Sequence, residues 1–371
     1  MVARLGDIAT YINGYAFKPS DWADTGVPII RIQDLTGNSY QTNKYKGTYD
    51  KKYEVVDGDI LISWSASLGV YVWKGEKALL NQHIFKVVFD KTEIDKDFFV
   101  HQVRAVLQNA TSEAHGATMK HLTKPVFDSL PFYLPSMEEQ KNISQKLNSV
   151  SMLIETKKLQ LEKLDELVKA RFVELFGDPV NNSKGLPELT LPELGEFGRG
   201  VSKHRPRNDP KLLGGKYPLI QTGEVANSNL YITEYESTYS ELGFKQSKLW
   251  QKGTLCITIA ANIAKTAILT FDACFPDSVV GFKANDKTDN IFVHYWFSFF
   301  QAILDAQAPE SAQKNINLKT LSELKIIVPP IELQNEFVTF VEQVDKSKFE
   351  VQQSLKKLET LKKSLMQQYF G

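Results

Sequence analysis

The sequence predicts an α+β protein made of two tandem, pseudo-twofold-related mixed domains joined by a long antiparallel two-helix coiled coil. Three observations carry this expectation. The 371-residue chain is written twice, with matching landmarks displaced by about 190 residues. Each copy opens on short runs rich in Val, Ile, Tyr and Phe, and each closes on a heptad stripe of fixed length.

The landmarks of the repeat are specific. Leu5-Gly6-Asp7-Ile8 with Gly14 answers Leu191-Pro192-Glu193-Leu194 with Gly200, and Val27-Pro28-Ile29-Ile30-Arg31 answers Tyr217-Pro218-Leu219-Ile220-Gln221. Gly58-Asp59-Ile60-Leu61-Ile62-Ser63 answers Gly253-Thr254-Leu255-Cys256-Ile257-Thr258, and Phe99-Val100-His101 answers Phe292-Val293-His294. From Leu134-Pro135 and Val328-Pro329 the copies run without gaps to Phe176-Gly177 and Phe370-Gly371. Earlier in each copy the spacing drifts. Variable loops on a scaffold are where recognition is usually placed, whereas a segment of fixed length points to a spacer. The expected division is therefore 1–135 and 178–329 as globular parts, with 136–177 as a central helix and 330–371 as a distal one.

Within a copy, Val27 to Ile32, Asp59 to Trp64, Val70 to Trp73 and Ile84 to Phe89 read as strands, separated by turn-prone clusters such as Leu35-Thr36-Gly37-Asn38-Ser39. Helices are expected near Asp97 to Leu107 and Asn290 to Leu304. After Pro135 the apolar residues Ile143, Leu147, Val150, Ile154, Leu161, Leu164 and Val168 recur at spacings of three and four. The matching stripe is Phe337, Val341, Val344, Val351, Leu355, Leu358 and Leu365, interrupted by Lys348 and Lys362. Pro135, Pro329 and Pro330 suit a first helical turn, and Gly177 suits a stop. A helix of about 40 residues is roughly 60 Å long and overhangs a domain whose radius of gyration is about 14 Å, so pairing with its twin buries the stripe. Since the first helix must return the chain to the second domain, the pair should be antiparallel.

Composition narrows the function. Lys and Arg number 44, as do Asp and Glu, so any affinity for phosphate must be local rather than global. Cys256 and Cys274 lack CxxC spacing and read as small core residues. The start Met1-Val2-Ala3-Arg4-Leu5-Gly6 has no apolar signal core and no run reaches membrane-span length, which predicts a cytoplasmic protein. Catalytic constellations are missing. Gly214-Gly215-Lys216-Tyr217 is not a phosphate loop, and Val328-Pro329-Pro330-Ile331 lacks the polar first residue of an amino-methyltransferase loop. Pro276-Asp277 with Lys283 is an incomplete nuclease pattern. His83, His101, His115, His121, His204 and His294 show no metal-type pairing, and the repeat-equivalent His101 and His294 read as structural.

These features together resemble the specificity subunits of type I restriction-modification systems, in which two target-recognition domains alternate with two helical regions. The resemblance covers essentially the whole chain. Its strings are Gly58 to Ser63, Asn81-Gln82-His83, Gln313-Lys314-Asn315-Ile316, Leu134-Pro135 with Glu139-Gln140, Val328-Pro329-Pro330 with Gln334, and Leu175-Phe176-Gly177. The first copy departs at Gly116-Ala117-Thr118-Met119-Lys120, which lacks the Gln-Lys-Asn-Ile form. The resemblance implies a non-catalytic, DNA-binding subunit that docks two methyltransferase subunits, with or without two restriction subunits. S-adenosylmethionine, ATP and Mg would belong to those partners, with no cofactor or metal in this chain.

On that reading each globular part reads one half of a split double-stranded DNA target. The basic segment Arg199-Gly200-Val201-Ser202-Lys203-His204-Arg205-Pro206-Arg207 suits phosphate contact. Amides and Arg or Lys read base edges, with adenine and guanine as their respective partners. The candidates are Gln33, Asn38, Asn81, Gln82 and Lys120 in the first domain. In the second they are Arg205, Arg207, Gln221, Asn262, Lys314 and Asn315, while Arg199 and Lys203 are DNA-binding candidates through the basic segment. The alternatives are a coiled-coil interaction protein that binds no DNA and a specificity subunit acting in modification only.

Overall fold

The computed structural model describes residues 2–38, 43–112, 122–204, 206–260, 263–307 and 316–371, with side chains left undescribed at 111–112 and 302–307. The chain forms two compact units, Met1–Lys158 with Gln352–Gly371, and Leu159–Val351.

In the first unit one sheet has the strand order Thr10–Asn13, Ile84–Val88, Ile60–Ser63, Gly69–Val72, all antiparallel. A second sheet runs Lys44–Tyr45, Val27–Ile30, Ala78–Leu80, Glu54–Val55, with a parallel pair at its centre where Ile29 faces Leu79. The second unit repeats both orders. Its first sheet is Gly195–Arg199, Val279–Ala284, Leu255–Thr258, Thr266–Leu269, extended by a parallel edge strand Tyr231–Ile232. Its second is Ser237–Tyr239, Leu213–Leu219, Ala273–Cys274, Leu249–Trp250, again with a central parallel pair, Leu219 facing Cys274.

The matching strings Gly58 to Ser63 and Gly253 to Thr258 have a structural cause. Ile60–Ser63 and Leu255–Thr258 are buried at every position, as strands covered on both faces must be. Gly58 (φ +83°) and Gly253 (φ +87°) make the turn into them in the left-handed region, where a side chain is strained. The expected strand Val27 to Ile32 ends sooner, at Ile30. The Asp34 carboxylate accepts the Arg31 N–H at 2.7 Å and starts a short helix, Ile32–Leu35.

The helices Lys96–Ser112 and Asn290–Gln307 pack aromatic rings into each core. Phe98, Phe99, Phe127 and Phe132 fill the first unit, and Phe172, Phe176, Phe292, Trp296 and Phe337 fill the second. Each fully buried ring of this kind contributes about 2–3 kcal/mol through apolar burial. Both cysteines are buried and unpaired, and desolvation pushes the Cys256 thiol far above its usual range.

The central helix Met137–Phe176 and the distal helix Ile331–Phe370 are each 40 residues long. The prolines stand ahead of the first turn rather than in it. Pro330 supplies the carbonyl that accepts the Gln334 N–H at 3.2 Å, and Ser136, not Pro135, does the same for Gln140 at 2.9 Å. Gly177 (φ +79°) closes the central helix by donating to Val173 O at 2.8 Å. Within the first unit Ile143 and Leu147 are buried in a cluster that includes Leu365, Met366, Tyr369 and Phe370. Within the second, Leu164, Val168, Phe172 and Phe176 cluster with Phe337, Val341 and Val344. There the helices run antiparallel, because Asp165 pairs with Lys348 and, further along, Arg171 with Glu336 at 2.5 Å. Val150, Ile154 and Val351 are also buried, whereas Leu161, Leu355, Leu358 and Leu365 are partly exposed.

Candidate nucleic-acid interface

Three of the residues singled out for DNA contact come together in the second unit. Arg199, Arg207 and Gln221 line one polar cleft of about 540 Å³, together with Tyr239, Asp277 and Asn317. Arg199 ends the strand Gly195–Arg199. Gln221 is the residue before the short helix Thr222–Asn227, and its N–H is held by the Glu224 carboxylate at 3.2 Å. Asp277 sits in the turn between the strands Ala273–Cys274 and Val279–Ala284 and forms an ion pair with Arg207. The Asn317 side chain caps the helix Leu318–Ser322 by accepting the Thr320 N–H at 2.8 Å.

Gly200 explains how the basic segment reaches this cleft. A Cβ at that position would stand 2.2 Å from the carbonyl oxygen of Phe275 and 2.5 Å from that of Pro276. Only a residue without a side chain lets the backbone press against the turn that carries Asp277. Gly14 does the same in the first unit, where a Cβ would lie 2.1 Å from Asn81 O.

Beyond Gly200 the basic loop is ordered from within. Gln246 Oε1 accepts the backbone N–H groups of Lys203 at 2.5 Å and His204 at 3.0 Å. Asp209 accepts the Lys211 N–H at 3.0 Å and contacts His204 Nε2 at 3.2 Å. These contacts, that of the Lys211 amide foremost, hold the Asp209 carboxyl below its usual range. Lys203 is exposed and stands outside the cleft.

In the first unit Asn38 N donates to Gln33 O at 2.9 Å, so both lie on one turn, and Asn81 N donates to Ile30 O at 3.2 Å. The Asn81 side chain accepts the Gln82 N–H at 2.7 Å. Lys120, Arg205, Asn262, Lys314 and Asn315 lie outside the described residues. Just after two of those segments, Leu122 N bonds to Trp64 O at 3.0 Å and Ile316 N to Ile259 O at 2.9 Å, the same bond in each unit.

Arg31 is known from the sequence only as a repeat landmark and Asp277 only as part of an incomplete nuclease pattern, neither as a candidate for DNA contact. Arg31 stands before Ile32–Leu35 as Gln221 stands before Thr222–Asn227, with its guanidinium 5.5 Å over the Trp22 ring. The repeat alignment already matched these two positions. Asp277 fills the turn where Gln82 stands in the first unit, a match the strand order makes plain.

The equivalent histidines are bonded inside their units. His101 Nε2 meets Asn148 Oδ1 at 2.7 Å, and His294 Nδ1 meets Thr266 Oγ1 at 2.9 Å. Among the described residues no group of His, Cys, Asp or Glu could hold a metal ion, and no helix is long and apolar enough to cross a membrane.

Comparison with known proteins gives a consistent result. The chain is 25% identical to the type I restriction enzyme EcoBI specificity subunit of Escherichia coli, covering 99% of this chain and 84% of that protein. It is 24% identical to the putative type I restriction enzyme MjaX specificity subunit of Methanocaldococcus jannaschii, covering 97% and 92%. Its fold resembles the type I restriction-modification S subunit from M. genitalium, with a TM-score of 0.58 at 15% identity over 99% of this chain and 94% of that one. A chain from a solved structure concerned with assembly of the type I R-M system aligns with a TM-score of 0.55 at 15% identity, covering 100% and 97%. The family described as type I restriction modification DNA specificity domain matches residues 1–166 and 188–363. With both copies of the repeat matched, the chain belongs to the type I restriction-modification DNA specificity domain family.

Proposed function

We propose that this chain is the non-catalytic specificity subunit of a cytoplasmic type I restriction-modification complex. Residues 1–135 and 178–329 each read one half of a split double-stranded DNA target, leaving the base pairs between them unread. The helices 136–177 and 330–371 act as spacer and as docking surface for two methyltransferase subunits, and for restriction subunits where these exist. S-adenosylmethionine, ATP and Mg are bound by those partners.

The observation that carries this reading is the pairing of one strand order with two different chemistries. Both units repeat the same two sheets, yet the corner with Arg31, Asn81 and Gln82 in one holds Gln221, Pro276 and Asp277 in the other. Equal scaffolds with unequal reading groups suit a target whose halves differ.

Methylome sequencing of cells with and without the gene tests this. A split motif of methylated adenine should vanish on deletion, and replacing residues 1–130 with those of a relative should change one half of the motif only. Change at both halves, or no lost motif, would contradict the proposal.

A further inference from the structure

The cleft of the second unit holds a carboxylate where a purely phosphate-binding surface would exclude one. Asp277 and Arg207 form an ion pair at its wall, with Arg199 and Gln221 also lining it. Both partners are partly open to solvent, at 45% for the Arg207 side chain and 34% for Asp277. A carboxylate beside the guanidinium repels a phosphate and cancels much of the charge that would attract one. It also ties the guanidinium, whose five N–H donors form a rigid fork suited to bidentate contact, to one wall of the cleft by an ion pair through Asp277 Oδ1. The combination costs affinity for the backbone and adds orientation, which is the requirement for base reading.

The position is specific to one unit. Gln82 occupies the matching turn in the first unit, where the Asn81 side chain accepts its backbone N–H at 2.7 Å. A residue maintaining the shared fold would have the same chemistry in both copies, because the flanking strands pair in the same order.

We propose that Arg207 reads a base edge in the half-site of the second unit, guanine being its bidentate partner, and that Asp277 is the positioning residue that orients it. This deepens the specificity-subunit reading and rests on it.

The test uses the full chain together with its methyltransferase partner. Binding is measured to duplexes that carry the methylated motif and to duplexes changed at one base pair of the second half-site at a time. Arg207→Lys and Asp277→Asn should each reduce discrimination at the same single base pair by about 10–100-fold, with the other positions unchanged. Asp277→Glu should restore part of it. Uniform weakening over all duplexes would make Arg207 a backbone contact and overturn the inference, as would unchanged discrimination at every position. If Asp277→Asn melts before the assay temperature, Arg207→Lys and Asp277→Glu decide the question by the same readout. Absence of sequence selectivity in the unsubstituted complex would overturn the underlying reading, and this inference with it, before any variant is compared.

Discussion

Gln334 Oε1 accepts the backbone N–H of Asp289 at 3.2 Å, fastening the first turn of the distal helix to the residues that open the helix Asn290–Gln307. The same oxygen takes the Thr288 hydroxyl at 3.0 Å, and the amide nitrogen donates to Pro329 O and Lys287 O at 2.9 and 3.1 Å. Gln140 repeats the arrangement in the first unit, accepting from Asp95 N at 2.9 Å and donating to Pro135 O at 3.0 Å. Both side chains are buried. Gln334→Ala leaves several buried polar groups without partners and should destabilise the protein by about 2–4 kcal/mol. Gln140→Ala, with fewer groups stranded, should cost less. Thermal melting of the two variants checks both the size and the order.

This relationship also marks the boundary of what a sequence reveals. The duplicated glutamines were visible as repeat landmarks, but not the bonds that make them necessary, because Asp95 and Asp289 meet them only after folding. The strand cores were legible for the opposite reason, since period and β-branching are local. Helix length followed from the gapless register between Pro135 and Gly177. Arg207 could be singled out as a basic residue in a loop, whereas its partner Asp277 lies some 70 positions away in the chain. No periodicity encodes that contact; the close approach at Gly200 creates it.

Lys348 interrupts the apolar stripe of the distal helix and is buried, its side chain 10% exposed, while its partner Asp165 is 62% exposed. The carboxylate thus keeps most of its hydration and the ammonium has lost it. Asp165→Ala should destabilise by about 1–3 kcal/mol, because it removes the direct ion pair of a buried charge and leaves it only the electrostatic influence of Asp345. Lys348→Leu, which removes the charge and completes the stripe, should be neutral or stabilising. Denaturant titration separates the two, and equal losses would refute the assignment.

His294, bonded to Thr266 inside its unit, should couple stability to pH. Burial, reinforced by the charge of Lys348, lowers its pKa to about 4. Because the folded value lies below the unfolded one, near 6.5, the unfolded chain binds the proton first as pH falls. Stability is therefore complete above about pH 6.5 and declines toward pH 4, at about 1.4 kcal/mol per pH unit at most. The residue as a whole is only partly buried, so the total loss should be about 1–3 kcal/mol. His294→Gln should flatten that component of the stability profile between pH 6.5 and 4, and an unchanged profile would exclude it.

Gly14 and Gly200 allow the same backbone approach in two units whose loops differ. Alanine at either position drives a methyl into a backbone carbonyl, at 2.1 and 2.2 Å, with no flexible side chain able to yield. Gly200→Ala should cost about 1–3 kcal/mol and displace the basic loop from the cleft. Gly14→Ala should do likewise in the first unit. In DNA-binding assays Gly200→Ala should impair reading of one half-site while the other is read normally.

Lys203 and Arg207 share one basic loop, yet their surroundings assign them different work. Lys203 is exposed outside the cleft, on backbone that Gln246 holds in place, and no carboxylate is paired with it among the described ion pairs. It fits the role of a phosphate contact. Replacing it with alanine should weaken binding to matched and mismatched duplexes alike, lowering the slope of log affinity against log salt by about 1. Arg207→Lys retains the charge and should leave that slope nearly unchanged. A salt titration of both variants on matched and mismatched duplexes therefore distinguishes attraction to the backbone from reading of the bases, and a selective loss at one base pair in Lys203→Ala would reverse the assignment.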